Sequence, residues 1–156
     1  MKLRYKILTG TAVVLVVAVA AIAFVLSHEA PCPALPPGSE SDDAMRAWVN
    51  RCYGGTEALS LERHDRPVPA DDELLVRVAA AAVNPYDWHF MTGSPYLMRL
   101  MTGLSRPDEI RVGADFSGTV VAVGADVTRF APGDEIFGSA TGSFAEYLTV
   151  TEDGPV

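Results

Sequence analysis

The side chains best suited to chemistry are few: three histidines, two cysteines and one short run of mixed polar groups. The histidines stand at 28, 64 and 89. His28 directly follows an apolar stretch and His64 lies in a polar one, so both read as surface residues. His89 differs. Asn84-Pro85-Tyr86-Asp87-Trp88-His89 puts a phenol, a carboxylate and an imidazole, side-chain types used to exchange protons with a bound molecule, within six residues of a hydrogen-bonding amide. Two cysteines exclude a disulfide-dense scaffold and a four-thiolate zinc site. Cys32 and Cys52 read either as a pair or as unrelated thiols, because nothing in the sequence brings them together. No phosphate-cradling Gly-x-x-x-x-Gly-Lys-Ser/Thr, no Gly-x-Gly-x-x-Gly between strand and helix, no His-Glu-x-x-His and no Cys-x-x-Cys occurs. Gly113 and Gly118 share the first of these spacings, but no Lys follows, and they read as turn and close-packing glycines.

These groups need a framework, and the chain is long enough for one ordinary domain. It has 156 residues, 49% apolar, with a net charge of −8. Charge is uneven. Lys2, Arg4 and Lys6 open the chain, whereas residues 27–156 carry nine Arg against 20 acids, a net −11. Such a domain has no basic surface for nucleic acid. The domain proper, 44–156, reads as β-rich. Strands are expected over Met45–Cys52, Ala58–Glu62, Glu73–Val83, Phe116–Gly124, Glu135–Phe137 and Phe144–Val150. Leu74, Val76 and Val78 should share one face of the long third strand. Asn84-Pro85 ends that strand, because the residue before proline avoids helical angles. Asp87–Met91 and Tyr96–Met101 are short helical candidates. Ala131-Pro132-Gly133-Asp134 suits a type II turn. Short strands punctuated by turns predict a barrel or sandwich.

Ahead of the domain, Ile7–Leu26 is an uncharged 20-residue run, long enough as a helix to cross about 30 Å of hydrocarbon. A cleaved signal peptide shares its basic start. The apolar run is longer than the usual ~7–15 residues of a signal peptide, and Ser27-His28-Glu29-Ala30-Pro31 is a poor cleavage site, which favours an uncleaved transmembrane anchor over 7–26. The basic tip, residues 1–6, puts the N-terminus in the cytoplasm and the domain on the other side. Residues 27–43, with four Pro and four acids from Glu29 onward, read as an extended linker.

Asn84-Pro85-Tyr86-Asp87, the run from Gly113 to Gly138 and Phe144-Ala145-Glu146-Tyr147 together resemble the N-terminal, GroES-like domain of the medium-chain dehydrogenases/reductases. The resemblance covers roughly Ala44 to Val150. It implies a mainly β, partly open barrel with short helices. The family's zinc branch has a Cys at the position matching Asn84 and a His at the one matching Ala114. An amide and a methyl cannot replace those ligands. The chain therefore resembles the zinc-independent, quinone oxidoreductase-like branch, whose members use NADPH to reduce quinones, enones and related carbonyls.

By this resemblance Asn84 contacts cofactor or substrate, or else stabilises its turn. Asp87 caps the following helix. Tyr96 lies near a substrate-pocket Tyr and is a candidate catalytic proton donor. His89 matches a proton-relay His of some alcohol dehydrogenases, with Tyr86 at the partner position, or is simply packed. The family's dinucleotide-binding domain is expected beyond residue 150, so the 156-residue chain is expected to be a substrate-side portion, inactive alone. The NADPH half is then lost by truncation or supplied by a separate Rossmann-domain chain, and the lone domain is expected to form a homo-oligomer through its exposed apolar residues. A non-catalytic membrane-anchored binding module, or a decayed gene product, is the alternative. Membrane lipid and a small carbonyl or quinone are the expected partners. Tyr86, Trp88, Phe90, Leu97 and Met101 are expected to form an exposed apolar patch.

Overall fold

The computed structural model describes residues 2–156. The first helix, α1 (Lys2–Ser27), extends the expected apolar run by a turn at its N-terminus. Its Val-rich sequence has modest helical propensity in water. In hydrocarbon, however, a helix is the arrangement that satisfies every backbone group internally. The Thr11 hydroxyl donates back to the Ile7 carbonyl at 2.9 Å, so even that polar group is used within the helix. The described side chains along it are exposed on all faces, apart from half-buried Leu26 in the last turn. Thr9–Ser27 has mean hydropathy 2.6 and is long and apolar enough to cross a membrane, criteria that an N-terminal signal sequence also meets.

The domain contains two antiparallel sheets. Strands β1 (Ala44–Asn50) and β2 (Leu59–Asp65) pair from Ala44 opposite Asp65 to Asn50 opposite Leu59. Strands β3 (Glu73–Ala82), β4 (Asp115–Val123), β5 (Glu135–Ser139) and β6 (Tyr147–Thr151) form a four-stranded sheet in the order β5-β4-β3-β6. The sheets do not close into a full barrel, but they are stitched together. Trp48 N–H donates to the Phe144 carbonyl at 2.9 Å, and Glu146 N–H donates to Arg46 at 3.0 Å. This stitching corrects the expected sixth strand. It begins at Tyr147 rather than Phe144, because Phe144–Glu146 pairs with β1 instead. His64, expected at the surface of a polar stretch, is instead a half-buried member of β2, opposite Met45.

Alternation builds the core. Leu74 and Val76 of β3, Phe116 and Val120 of β4, Ile136 of β5, and Leu148 and Val150 of β6 form one buried cluster. Val78 packs against it only partly, because the β3–β4 register slips on either side, between Leu75 and Val76 and between Val78 and Ala80. Gly118 sits where a Cβ would come within 2.3 Å of the Arg77 carbonyl, so only glycine lets β4 lie this close to β3. The expected turn at Ala131–Asp134 forms, with Gly133 at φ 103° and Asp134 N–H donating to the Ala131 carbonyl at 3.1 Å.

Between β3 and β4 lie α2 (Pro85–Thr92), a single 3-10 turn (Tyr96–Met98) and α3 (Arg99–Thr102). This segment holds the end of α1. Arg99 is 1% exposed. Its guanidinium donates to the Leu26 carbonyl at 3.1 Å, to Glu29 at 2.7 Å and to the Gly93 carbonyl at 3.0 Å. It also lies over the rings of Tyr53 (4.4 Å) and Tyr96 (4.6 Å). Leu26 is in the last turn of α1, where carbonyls lack helical partners and a cation is favoured. Residues 28–40 have no regular structure, as their proline content implies, yet they are pinned. Ala30 N–H bonds the Ser105 carbonyl, Cys32 and Cys52 are joined by a disulfide, and Ser39 bonds Arg63 and Asp65.

Candidate functional site

Helix α2 carries most of the residues singled out in sequence, and its start is over-determined. The Asn84 amide oxygen accepts from Tyr86 N–H at 2.8 Å, and the Asp87 carboxylate accepts from Asn84 N–H at 2.8 Å. This is a reciprocal capping box with proline at the first helical position. The Asn84 amide nitrogen is committed as well, donating to Asp115 at 2.8 Å. At the other end, Gly93 adopts φ 60° and closes the helix. His89 Nδ1 lies 2.6 Å from the Ser94 carbonyl. A carbonyl only accepts, so Nδ1 is the donor in this contact. Tyr96 is half exposed beneath the Arg99 guanidinium.

A cavity of about 130 Å³ opens beside α2. Tyr86, Phe90 and Met101 supply apolar wall; Asn50, Asp87 and Arg111 supply polar groups. Tyr86 and Phe90, four residues apart on one helix face, stack with ring centroids 4.1 Å apart. Burial, reinforced by the Asp87 charge, raises the Tyr86 phenol above its ordinary value, so it stays protonated and able to donate at neutral pH. Asn50 and Asp87 are 2% and 8% exposed. Each keeps one carboxamide or carboxylate oxygen without a protein hydrogen-bond partner. For Asn50 the assignment is settled by its amide nitrogen, which donates to the Met91 carbonyl at 3.0 Å. Arg111 is spent on Glu109 through two bonds of 2.7 and 3.0 Å; the bond from Arg111 holds Glu109 below the usual carboxylate range. The cavity thus combines an aromatic wall and a phenol donor with buried polar residues bordering it, a lining for a small planar molecule with polar edges.

Asn84, His89 and Tyr96 do not line this cavity; from α2 it takes Tyr86, Asp87 and Phe90. Sequence reasoning valued Tyr86 as a relay partner and Asp87 as a cap, and it passed over Asn50 and Arg111. The four-residue spacing of Tyr86 and Phe90 was the available signal. Asn50 had none, since it is the last residue of β1 and meets α2 only through tertiary packing. In the expected apolar patch, Tyr86, Trp88, Leu97 and Met101 are exposed, while Phe90 is half-buried under Tyr86.

Zinc does not fit these residues. Both ends of the Asn84 amide are engaged, Ala114 is a methyl, and no cluster of three His, Cys, Asp or Glu occurs among the described residues. A dinucleotide's phosphates do not fit at the start of α2 either. Pro85 has no N–H, the Tyr86 N–H is taken by Asn84, and the Asp87 carboxylate in the first turn repels an anion.

Residues 70–156 match the alcohol dehydrogenase GroES-like domain. A trans-enoyl reductase of Fusarium mangiferae is 39% identical over 110 residues, covering 70% of this chain and 26% of that protein. The chloroplastic NADPH-dependent alkenal/one oxidoreductase of Arabidopsis thaliana is 34% identical over 119 residues, covering 69% of this chain and 29% of its own length. Among solved structures, the quinone oxidoreductase of Coxiella burnetii superposes with a TM-score of 0.62 at 29% identity, over 72% of this chain and 36% of that one. The chain thus spans little more than a quarter of the length of the two sequence relatives. Domain match, fold and relatives agree that the chain belongs to the alcohol dehydrogenase GroES-like family, on the quinone oxidoreductase-like side of the medium-chain dehydrogenases/reductases.

Proposed function

We propose that this chain is the substrate-side domain of a membrane-anchored, zinc-independent oxidoreductase that reduces a quinone or enone carbonyl. The cavity beside α2 carries the reading: a stacked aromatic wall suits a planar conjugated substrate, and the protonated Tyr86 phenol can donate to its carbonyl oxygen. Tyr96 and His89 lie outside this cavity, so proton exchange by either is proposed only for a substrate that reaches beyond it, and Asn84 orients the start of α2. Reduction needs a hydride donor, and no side chain here is one. NADPH is proposed in that role because related enzymes are named for it, held by residues outside these 156, in a Rossmann-type domain or partner chain. Lys2, Arg4 and Lys6 and the Cys32–Cys52 disulfide favour a domain outside the cytoplasm, whereas NADPH is supplied inside it; protease accessibility of the domain in intact cells distinguishes the two orientations.

Titration of the full chain in detergent micelles with a small benzoquinone, followed by fluorescence quenching, tests the proposal. Saturable binding is expected. Tyr86→Phe should weaken it about fivefold, the value of one hydrogen bond of about 1 kcal/mol. NADPH oxidation by the chain alone should stay at background. Absence of saturable binding, or turnover by the lone chain at the rate of a full-length relative, would overturn the reading.

A further inference from the structure

The segment 96–104 inverts the usual division between inside and outside. Its one cation, Arg99, is buried, whereas Leu97, Leu100, Met101 and Leu104 point outward, with Met101 89% and Leu97 68% exposed. Four large apolar groups on one short surface are more than a soluble face normally carries. Their place in the fold explains them. Arg99 binds the Leu26 carbonyl and Glu29, and Ala30 N–H bonds the Ser105 carbonyl at 2.8 Å, so the segment is fastened to the C-terminal end of α1 from both sides. The apolar surface of α1 ends there, at Ser27.

We propose that residues 96–104 form a membrane-contact surface seated in the lipid interface, a proposal that rests on reading α1 as a membrane anchor. Lipid is favoured over a protein partner by continuity: the apolar groups adjoin the end of an apolar helix, and the one charge within the segment, Arg99, is turned inward and paired with Glu29. The anchor and the segment then hold the domain in one orientation, with the cavity close to the bilayer, because Met101 belongs both to the contact surface and to the cavity wall. A quinone or enone dissolved in lipid would have a short path into it.

Spin labels placed singly at Met101→Cys, Leu97→Cys, Phe137→Cys and Val16→Cys, in the full chain reconstituted into phosphatidylcholine vesicles, test this by accessibility to oxygen and to a water-soluble nickel chelate. Phe137 is an exposed apolar residue of β5, remote in sequence from the anchor. The labels at 16, 97 and 101 should see several-fold more oxygen than nickel relative to the label at 137. An aqueous signal at 97 and 101 with hydrocarbon at 16 overturns the contact surface and leaves the anchor standing. An aqueous signal at 16 overturns the anchor, and the contact surface with it. Shielding of 97 and 101 from both reagents means protein contact and overturns the lipid assignment. Four substituted positions guard against one variant misfolding, and one label per chain shows that the disulfide is intact.

Discussion

Replacing Arg99 by methionine removes the group on which the junction between helix and domain depends. In the folded chain its guanidinium serves the carbonyls of Leu26 and Gly93 and the Glu29 carboxylate, and it stacks on two tyrosines. Each carbonyl bond contributes about 1 kcal/mol net. Each ring contact adds about 0.5–1 kcal/mol. The ion pair adds less, about 0.5 kcal/mol, because Glu29 is 48% exposed and stays hydrated when left alone. Arg99→Met is therefore expected to cost about 3–5 kcal/mol, which lowers Tm on the order of 10 °C for a domain of this size. Arg99→Lys keeps the charge but loses the planar fork and the stacking, and should cost about 2 kcal/mol. Glu29→Gln should cost under about 1 kcal/mol. Urea titration of the full chain in detergent micelles, read by Trp48 and Trp88 fluorescence, measures all three. If Arg99→Met costs no more than Glu29→Gln, the buried carbonyl and ring contacts are not what joins helix to domain.

Acid should destabilise the domain through Glu62. Two hydrogen bonds from Arg51, at 2.8 and 3.0 Å, hold its carboxyl below the usual range in a largely buried site. The resulting stability is fully present above the unfolded carboxylate value of about 4.3 and is lost as pH falls through the lower folded value. Glu62→Gln should remove about 1–2 kcal/mol at pH 7 and flatten the acid limb of a stability–pH curve; an unchanged limb would show that the pair contributes nothing. The Cys32–Cys52 disulfide spans 20 residues, so its reduction should cost about 3 kcal/mol by loop entropy. Denaturation with and without dithiothreitol measures this, and equal midpoints would show that the other contacts of residues 28–40 suffice.

Much of the framework was written locally. Alternating apolar residues in Glu73–Ala82 and Asp115–Val123, proline after Asn84 and the turn at Ala131–Asp134 are short-range signals, and each sits within a residue or two of its expected place. The capping role of Asp87 and the turn-stabilising role of Asn84 were legible for the same reason, since both partners lie within three residues; that the helix starts at Pro85, with Asn84 as its cap, was not. Whatever depends on distant partners was not. Phe144–Glu146 left the last strand because β1, about a hundred residues earlier, offered its own backbone groups. Cys32 met Cys52 because Arg99, Ser105 and Arg63 draw the proline-rich segment onto the domain. The cavity is the clearest case. Its polar lining includes the last residue of a strand and the third residue of a helix, and no spacing in the chain announces that Asn50 and Asp87 border one space. Sequence alone settled which residues pair with near neighbours, through propensity and periodicity. Tertiary structure decided which oxygens are left without partners, because that is known only once every other group has been placed.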